Sequence, residues 1–145
     1  MKRIDSIADS MDKLRALTIQ LERTERFFEA FLNQCPFVMW CKDYSEGIGR
    51  MVFISDLYSE IFKVHPHEYV GFTDYAVWPH DVAEIFRVQD LEVIESGEAV
   101  WSAEPTPLAG KEQWKHCMTL KFPIKTPSGD VIGVGGIAWP YRAET

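Results

Sequence analysis

The chain has 145 residues, 46% hydrophobic and 26% charged, which is enough for one domain with a real core plus an appendage. A net charge of -7 with no basic stripe excludes a nucleic-acid footprint, and no apolar run approaches the ~20 residues of a membrane span. The N-terminus meets acids too early for a signal peptide. Cys35, Cys41 and Cys117 lack framework spacing, so the chain reads as cytoplasmic with reduced thiols.

Residues 3 to about 33 contain no Gly or Pro and read as one long helix. Ile4, Ile7, Met11, Leu14, Leu21, Phe28 and Leu32 recur in alternating steps of three and four, with Thr18 and Glu25 at the positions between. That is a coiled-coil seam interrupted twice, and it predicts a homodimer through residues 4–32. The alternative is a helix folded back on its own domain. Both can hold, with the early turns pairing between chains and Phe27, Phe28 and Phe31 covering a sheet. The expected organisation is a dimerisation and signalling helix, residues 1–33, followed by a domain, residues 34–141.

Pro36 ends the helix. Phe37 to Lys42 reads as a buried strand, Asp43 to Gly49 as a turn and Arg50 to Ile54 as a second strand. Ser55 or Asp56 caps a short helix reaching Phe62. Pro66 suits the first position of a further helical turn, which Gly71 ends. Thr73 or Asp74 caps another short helix reaching Trp78. The main helix covers about 80–95 and Gly97 stops it, with Val82, Phe86, Gln89 and Val93 on one face and Ile85 and Ile94 beside them. Strands follow at 99–104, 113–123 and 131–139, the last two joined by a Pro127-Ser128-Gly129-Asp130 turn. This order gives an α+β fold with helices on one face of an antiparallel sheet.

The strand from Trp114 to Phe122 alternates, with Trp114, His116, Met118, Leu120 and Phe122 on one face and Lys115, Cys117, Thr119 and Lys121 on the other. The first face is expected to look inward. His116 would then either bond a ligand's polar group or be a core histidine with a structural partner. The cysteines have no C-x-x-C spacing and read as small packers, not a zinc site. His65 and His67 lack a third ligand nearby and read as exposed capping residues. Asp56, Glu60, Asp74, Asp81 and Asp90 form no obvious acid/base pair. Gly133, Gly135 and Gly136 lie inside a strand rather than before a helix, so they are no phosphate loop; they allow close approach of backbone, ligand or helix. Most of the five Trp residues read as packing, and an exposed subset would mark a protein interface.

Taken in order, Pro36-Phe37-Val38-Met39-Trp40-Cys41-Lys42-Asp43, Gly71-Phe72-Thr73-Asp74, Trp78-Pro79-His80-Asp81 and Gly129-Asp130-Val131-Ile132-Gly133 with Gly135-Gly136-Ile137-Ala138 resemble a PAS sensor domain. Such domains begin "PFxxWxKD", carry "GxTDxxxWP" and end "GxxxGxGGIA". The resemblance covers about 100 residues. It implies a five-stranded sheet clasping helices around a small internal pocket, and a domain that senses and relays without catalysis. Haem-binding relatives usually carry the axial His on the main helix, and flavin photosensor relatives carry a reactive Cys in an "NCRFLQ"-like segment before it. Here the main helix has no His beyond His80 at its very start, and the segment from Asp74 to Asp81 has no Cys, so haem and flavin are not expected. Asp90 stands where an acid is common in the family and reads as a structural hydrogen-bonding group. The usual Asp-Ile-Thr linker after the last strand is replaced by Trp139-Pro140-Tyr141-Arg142, which bears on transmission to an output helix.

The expected function is a sensory, signal-transduction module that binds a small ligand or a signalling protein and relays through a dimeric helix. The ligand site is expected between the main helix and the inward sheet face, walled by Met39, Phe53, Tyr58, Trp78, Phe86, His116 and Met118. Polar handles there are few, so the ligand would be small and largely apolar. Competing readings are a small pocket enzyme using His116 or a buried carboxylate as base, and a dimerisation or adaptor unit whose pocket is filled by its own side chains.

Overall fold

Helix α1 runs Lys2–Gln34 in the computed structural model, uninterrupted because nothing in it breaks a helix. The structure describes residues 2–105 and 116–140, with side chains within 6–102 and 117–140. The chain forms two compact units that divide between Cys35 and Pro36. On α1, Ile7, Met11, Leu14, Leu21 and Phe28 are all exposed. Their spacing leaves an apolar stripe along the helix. Lys13 and Asp9, one turn apart, pair at 3.2 Å beside it. Thr18, at a seam position, bonds back to the Leu14 carbonyl at 2.8 Å.

The second unit is a five-stranded antiparallel sheet with its helices inserted between the second and third strands. The strands are β1 (Val38–Asp43), β2 (Arg50–Ile54), β3 (Val100–Pro105), β4 (His116–Lys125) and β5 (Val131–Pro140), in the spatial order β2-β1-β5-β4-β3. The helices are α2 (Asp56–Phe62), α3 (Pro66–Tyr69) and α4 (His80–Ser96), with a 3-10 turn at Asp74–Ala76. Ser55 caps α2 by accepting from Tyr58 N at 3.3 Å, and it also accepts from Met39 N at 3.0 Å. One hydroxyl thus starts a helix and ties it to strand β1, inside the sheet. Pro66 opens α3, and Gly97 ends α4 with its N–H on the Val93 carbonyl at 2.9 Å. The β4–β5 turn closes through Thr126 N to the Asp130 carbonyl at 2.9 Å.

Strand β4 alternates as expected, but with the opposite face inward. Cys117, Thr119 and Lys121 are buried, while Met118, Leu120 and Phe122 lie on the other side and are only half-buried. Hydropathy selects the wrong face here because the apolar residues of the outer face stay half-buried while Lys121 is admitted to the interior by a paired carboxylate. The same correction applies on β1 and β2. Val38, Trp40 and Lys42 face the helices. Met39 and Cys41 therefore face away, and Phe53, paired with Cys41 in the ladder, goes with them. On α4 the inward residues are Ala83, Phe86, Asp90 and Val93, in helical steps of three and four. Ile85, expected beside them, is exposed. Residues 113–115, expected at the start of β4, lie outside the described residues.

The core on the helix side holds Val38, Met51, Ile54, Tyr58, Tyr69, Trp78, Ala83 and Ala138, with Trp40 and Phe86 packed against it. Gly136, between Trp40 and Lys121 in the ladder, lets the Trp40 indole lie flat on β5: a Cβ there would fall 2.1 Å from Trp40 Cε2.

Candidate functional site

Four charged side chains meet under the sheet. Lys42 comes from β1 and Lys121 from β4, the two strands flanking β5. Asp74 opens the 3-10 turn, and Asp90 sits in the middle of α4. All four are buried, Asp90 completely. Lys42 Nζ donates to Asp74 Oδ2 at 2.7 Å and to Asp90 Oδ2 at 2.8 Å, and Lys121 Nζ donates to Asp90 Oδ1 at 2.9 Å. Two ammoniums face two carboxylates, so the cluster is neutral as a set. Isolated, any one of these charges would be prohibitive in such a place.

Three aromatic donors complete it. Tyr44, just past β1, donates to Asp90 Oδ2 at 2.6 Å. Tyr69, ending α3, donates to Asp74 Oδ1 at 2.5 Å and accepts from Trp78 Nε1 at 3.0 Å. A continuous hydrogen-bonded chain therefore runs from Tyr44 through Asp90, Lys42, Asp74 and Tyr69 to Trp78. The Phe86 ring covers the cluster, with its centroid 5.8 Å from Lys42 Nζ and 5.4 Å from Lys121 Nζ. Cations over an aromatic face gain a further modest attraction. Edge-to-face contacts link Phe86 to Trp78, Phe62, Tyr58 and Trp40 in turn.

Protonation follows from these partners. Burial alone would lift the Asp90 carboxyl, but Lys42 and Lys121 outweigh it and hold Asp90 below the ordinary carboxylate value. Burial alone would lower Lys42, but Asp90 and Asp74 hold it above the ordinary lysine value. Burial and the neighbouring carboxylates push Tyr44 and Tyr69 far up, so both phenols stay protonated donors. Burial likewise raises Tyr58. A carboxylate saturated by three donors and held low is a poor proton acceptor.

Of the seven residues expected to wall a ligand site, Tyr58, Trp78 and Phe86 come together beside this cluster. Met39, Phe53 and Met118 lie on the opposite face of the sheet. His116 opens β4 opposite Pro105, and its side chain lies outside the described residues. Lys42, Asp74 and Lys121 were missed as members. The signal for the two lysines was their place inside apolar strands, Val-Met-Trp-Cys-Lys and Met-Thr-Leu-Lys-Phe, which a half-buried strand does not need on its buried side. Asp90 is the hydrogen-bonded acid it was expected to be. His65 and His67 stack at 5.3 Å, and His65 N meets Glu68 Oε2 at 3.3 Å in a capping arrangement.

Known proteins place this architecture. The PAS domain of BvgS from Bordetella pertussis superposes with a TM-score of 0.66 at 19% identity, over 83% of this chain and 88% of that one. A sensory box sensor histidine kinase from Vibrio cholerae does so with a TM-score of 0.63 at 12% identity, over 88% of this chain and 99% of that one. VqmA from the same genus, solved with a ligand and DNA, gives 0.60 at 24% identity, over 77% of this chain and 48% of that one. At these identities the likeness is one of fold. In sequence, the uncharacterized protein y4lL of Sinorhizobium fredii is 32% identical over 85 residues; the match takes in 59% of this chain but only 10% of that protein. The family model described as PAS fold matches residues 38–144, and the chain belongs to that family.

Proposed function

We propose that the chain is a non-catalytic sensory module that binds a small ligand against the buried Lys42–Asp74–Asp90–Lys121 cluster and relays the event through a dimer of α1. The carrying observation is the cluster itself. It ties α4, the 3-10 turn, β1 and β4 together by mutually dependent charges, so exchanging one of its bonds for a ligand's would bias how those elements pack. The neutrality of the set favours an uncharged ligand with one or two hydrogen-bonding groups on an apolar body, beside Tyr58, Trp78 and Phe86. Among similar folds, VqmA has been solved bound to DPO, which supports a ligand on this scaffold. Catalysis is disfavoured because both aspartates are already engaged by lysine and tyrosine donors. The exposed seam on α1 supports pairing with a second copy, and a signalling protein is the expected recipient in the cytoplasm.

Native mass spectrometry of the purified protein tests this directly. The expected result is a dimer that retains a small molecule, with no absorption beyond the Trp band. A stoichiometric haem or flavin spectrum would overturn the cofactor part of the reading. A second reading keeps the dimer without a ligand, and the edge-to-face packing that runs from Tyr58 through Phe62 and Trp78 to Phe86 favours it. A protein that retains nothing, and that no compound stabilises in thermal-shift screening, would establish that second reading.

A further inference from the structure

The members of the hydrogen-bonded chain differ in one respect. Lys42, Asp74, Asp90, Lys121, Tyr69 and Trp78 are all buried, whereas Tyr44 is half-exposed at the start of an exposed turn, residues 45–48. Its backbone is pinned, with Tyr44 N on the Ile132 carbonyl at 2.7 Å and the Tyr44 carbonyl accepting from Gly47 N at 2.9 Å. Among the described residues its hydroxyl makes one hydrogen bond, to Asp90, and this holds the side chain inward. The ring lies against Gly49 so closely that a Cβ there would sit 2.4 Å from Tyr44 Cζ and 2.6 Å from the hydroxyl. Rotation about the Tyr44 side-chain bonds would therefore uncover Asp90 Oδ2 without moving the strand, and would leave a slot of the ring's own shape.

We infer that Tyr44 is the gate of the site and that its phenol holds, on Asp90, the place of a neutral ring-shaped ligand carrying a hydroxyl donor. The inference rests on the reading of the buried cluster as a ligand site. The occupant must be neutral because the phenol is neutral and the four charges beneath it already balance. It must donate because Asp90 Oδ2 is an acceptor that loses a bond when Tyr44 leaves. It must be flat because Gly49 leaves only the thickness of a ring.

The test uses the full chain with p-cresol, a free copy of the tyrosine side chain, and toluene, the same ring without the donor. Binding is measured by calorimetric titration, with circular dichroism as a check on folding. Tyr44→Ala should bind p-cresol at least about tenfold more tightly than wild type does, and should bind toluene at least about tenfold more weakly than p-cresol. Adding Gly49→Ala to that variant should abolish the gain, because the new methyl fills the slot. Should Tyr44→Ala fail to fold, Tyr44→Phe keeps the ring and loses only the latch. It should bind p-cresol more tightly than wild type. Equal binding of p-cresol and toluene, or affinities for p-cresol within twofold across the variants, would overturn the gate. If instead the variants behave as expected but native mass spectrometry finds nothing retained and no compound stabilises wild type, the ligand-site reading fails while the slot on Asp90 stands.

Discussion

Asp90 is the residue on which the interior depends most. It accepts from Lys42, Tyr44 and Lys121 at once and has no exposed surface. Replacing it with Asn keeps the volume but removes the charge, leaving two buried ammoniums with Asp74 as the remaining carboxylate of the cluster. Breaking a buried pair from one side typically costs about 3–5 kcal/mol, more than the pair contributes over an apolar substitute. Asp90→Asn should therefore lower unfolding stability by about 3–5 kcal/mol in urea titration. Replacing both Asp90 and Lys121 with Leu and Met should cost less than the sum of the single changes, since the second change removes a charge the first left unpaired. A loss under about 1 kcal/mol for Asp90→Asn would mean that water reaches the cluster.

At the scale of elements, the sequence reveals what local chemistry decides and conceals what a distant partner decides. Ser55, Pro66 and Gly97 mark helix ends through bonds made within a few residues, so the boundaries of α2, α3 and α4 were legible to within a residue or two. The existence of β4 was legible too, from its alternation. Its inward face was not, because Lys121 is tolerated inside only by virtue of Asp90, 31 residues away in sequence. Reading Met118 and Phe122 as core and Lys121 as surface follows hydropathy faithfully and still inverts the strand. The expected inward face inherited that error at Met39, Phe53 and Met118, while Tyr58, Trp78 and Phe86 lie on the helix side as expected because helices and turns set their direction. Helix α1 poses the opposite case: its seam is plain in the sequence and, from Ile7 to Phe28, exposed in the structure, with Leu32 buried at its end. Deleting residues 1–26 should give a monomer in sedimentation analysis. Ile7→Lys with Leu14→Lys should do the same, because seam positions lose water on pairing. A truncated chain that stays fully dimeric would place the interface elsewhere.

For the molecule as a whole, the buried cluster fixes how stability responds to pH. Asp90 is depressed in the folded state, so its contribution is complete above the ordinary carboxylate value of 3.8 and is lost as pH falls through the lower folded value. Lys42 is raised, so its contribution is complete below 10.5 and is lost as pH rises through the higher folded value. Tyr44, Tyr58 and Tyr69 are raised as well. The unfolded chain surrenders their protons near 10.0 while the folded chain keeps them, so they add to the same alkaline loss. The two signs together predict a broad plateau with an acid limb below about pH 4 and an alkaline limb above about pH 10. Thermal melting from about pH 2 to about pH 12 would trace it. Variants separate the limbs: Asp90→Asn should flatten the acid limb, because its amide does not titrate, and Tyr44→Phe should shallow the alkaline one. A main fall in wild-type melting temperature between about pH 5 and about pH 9 would contradict the scheme, since the lowered Asp90 and the raised Lys42, Tyr44, Tyr58 and Tyr69 change charge outside that range.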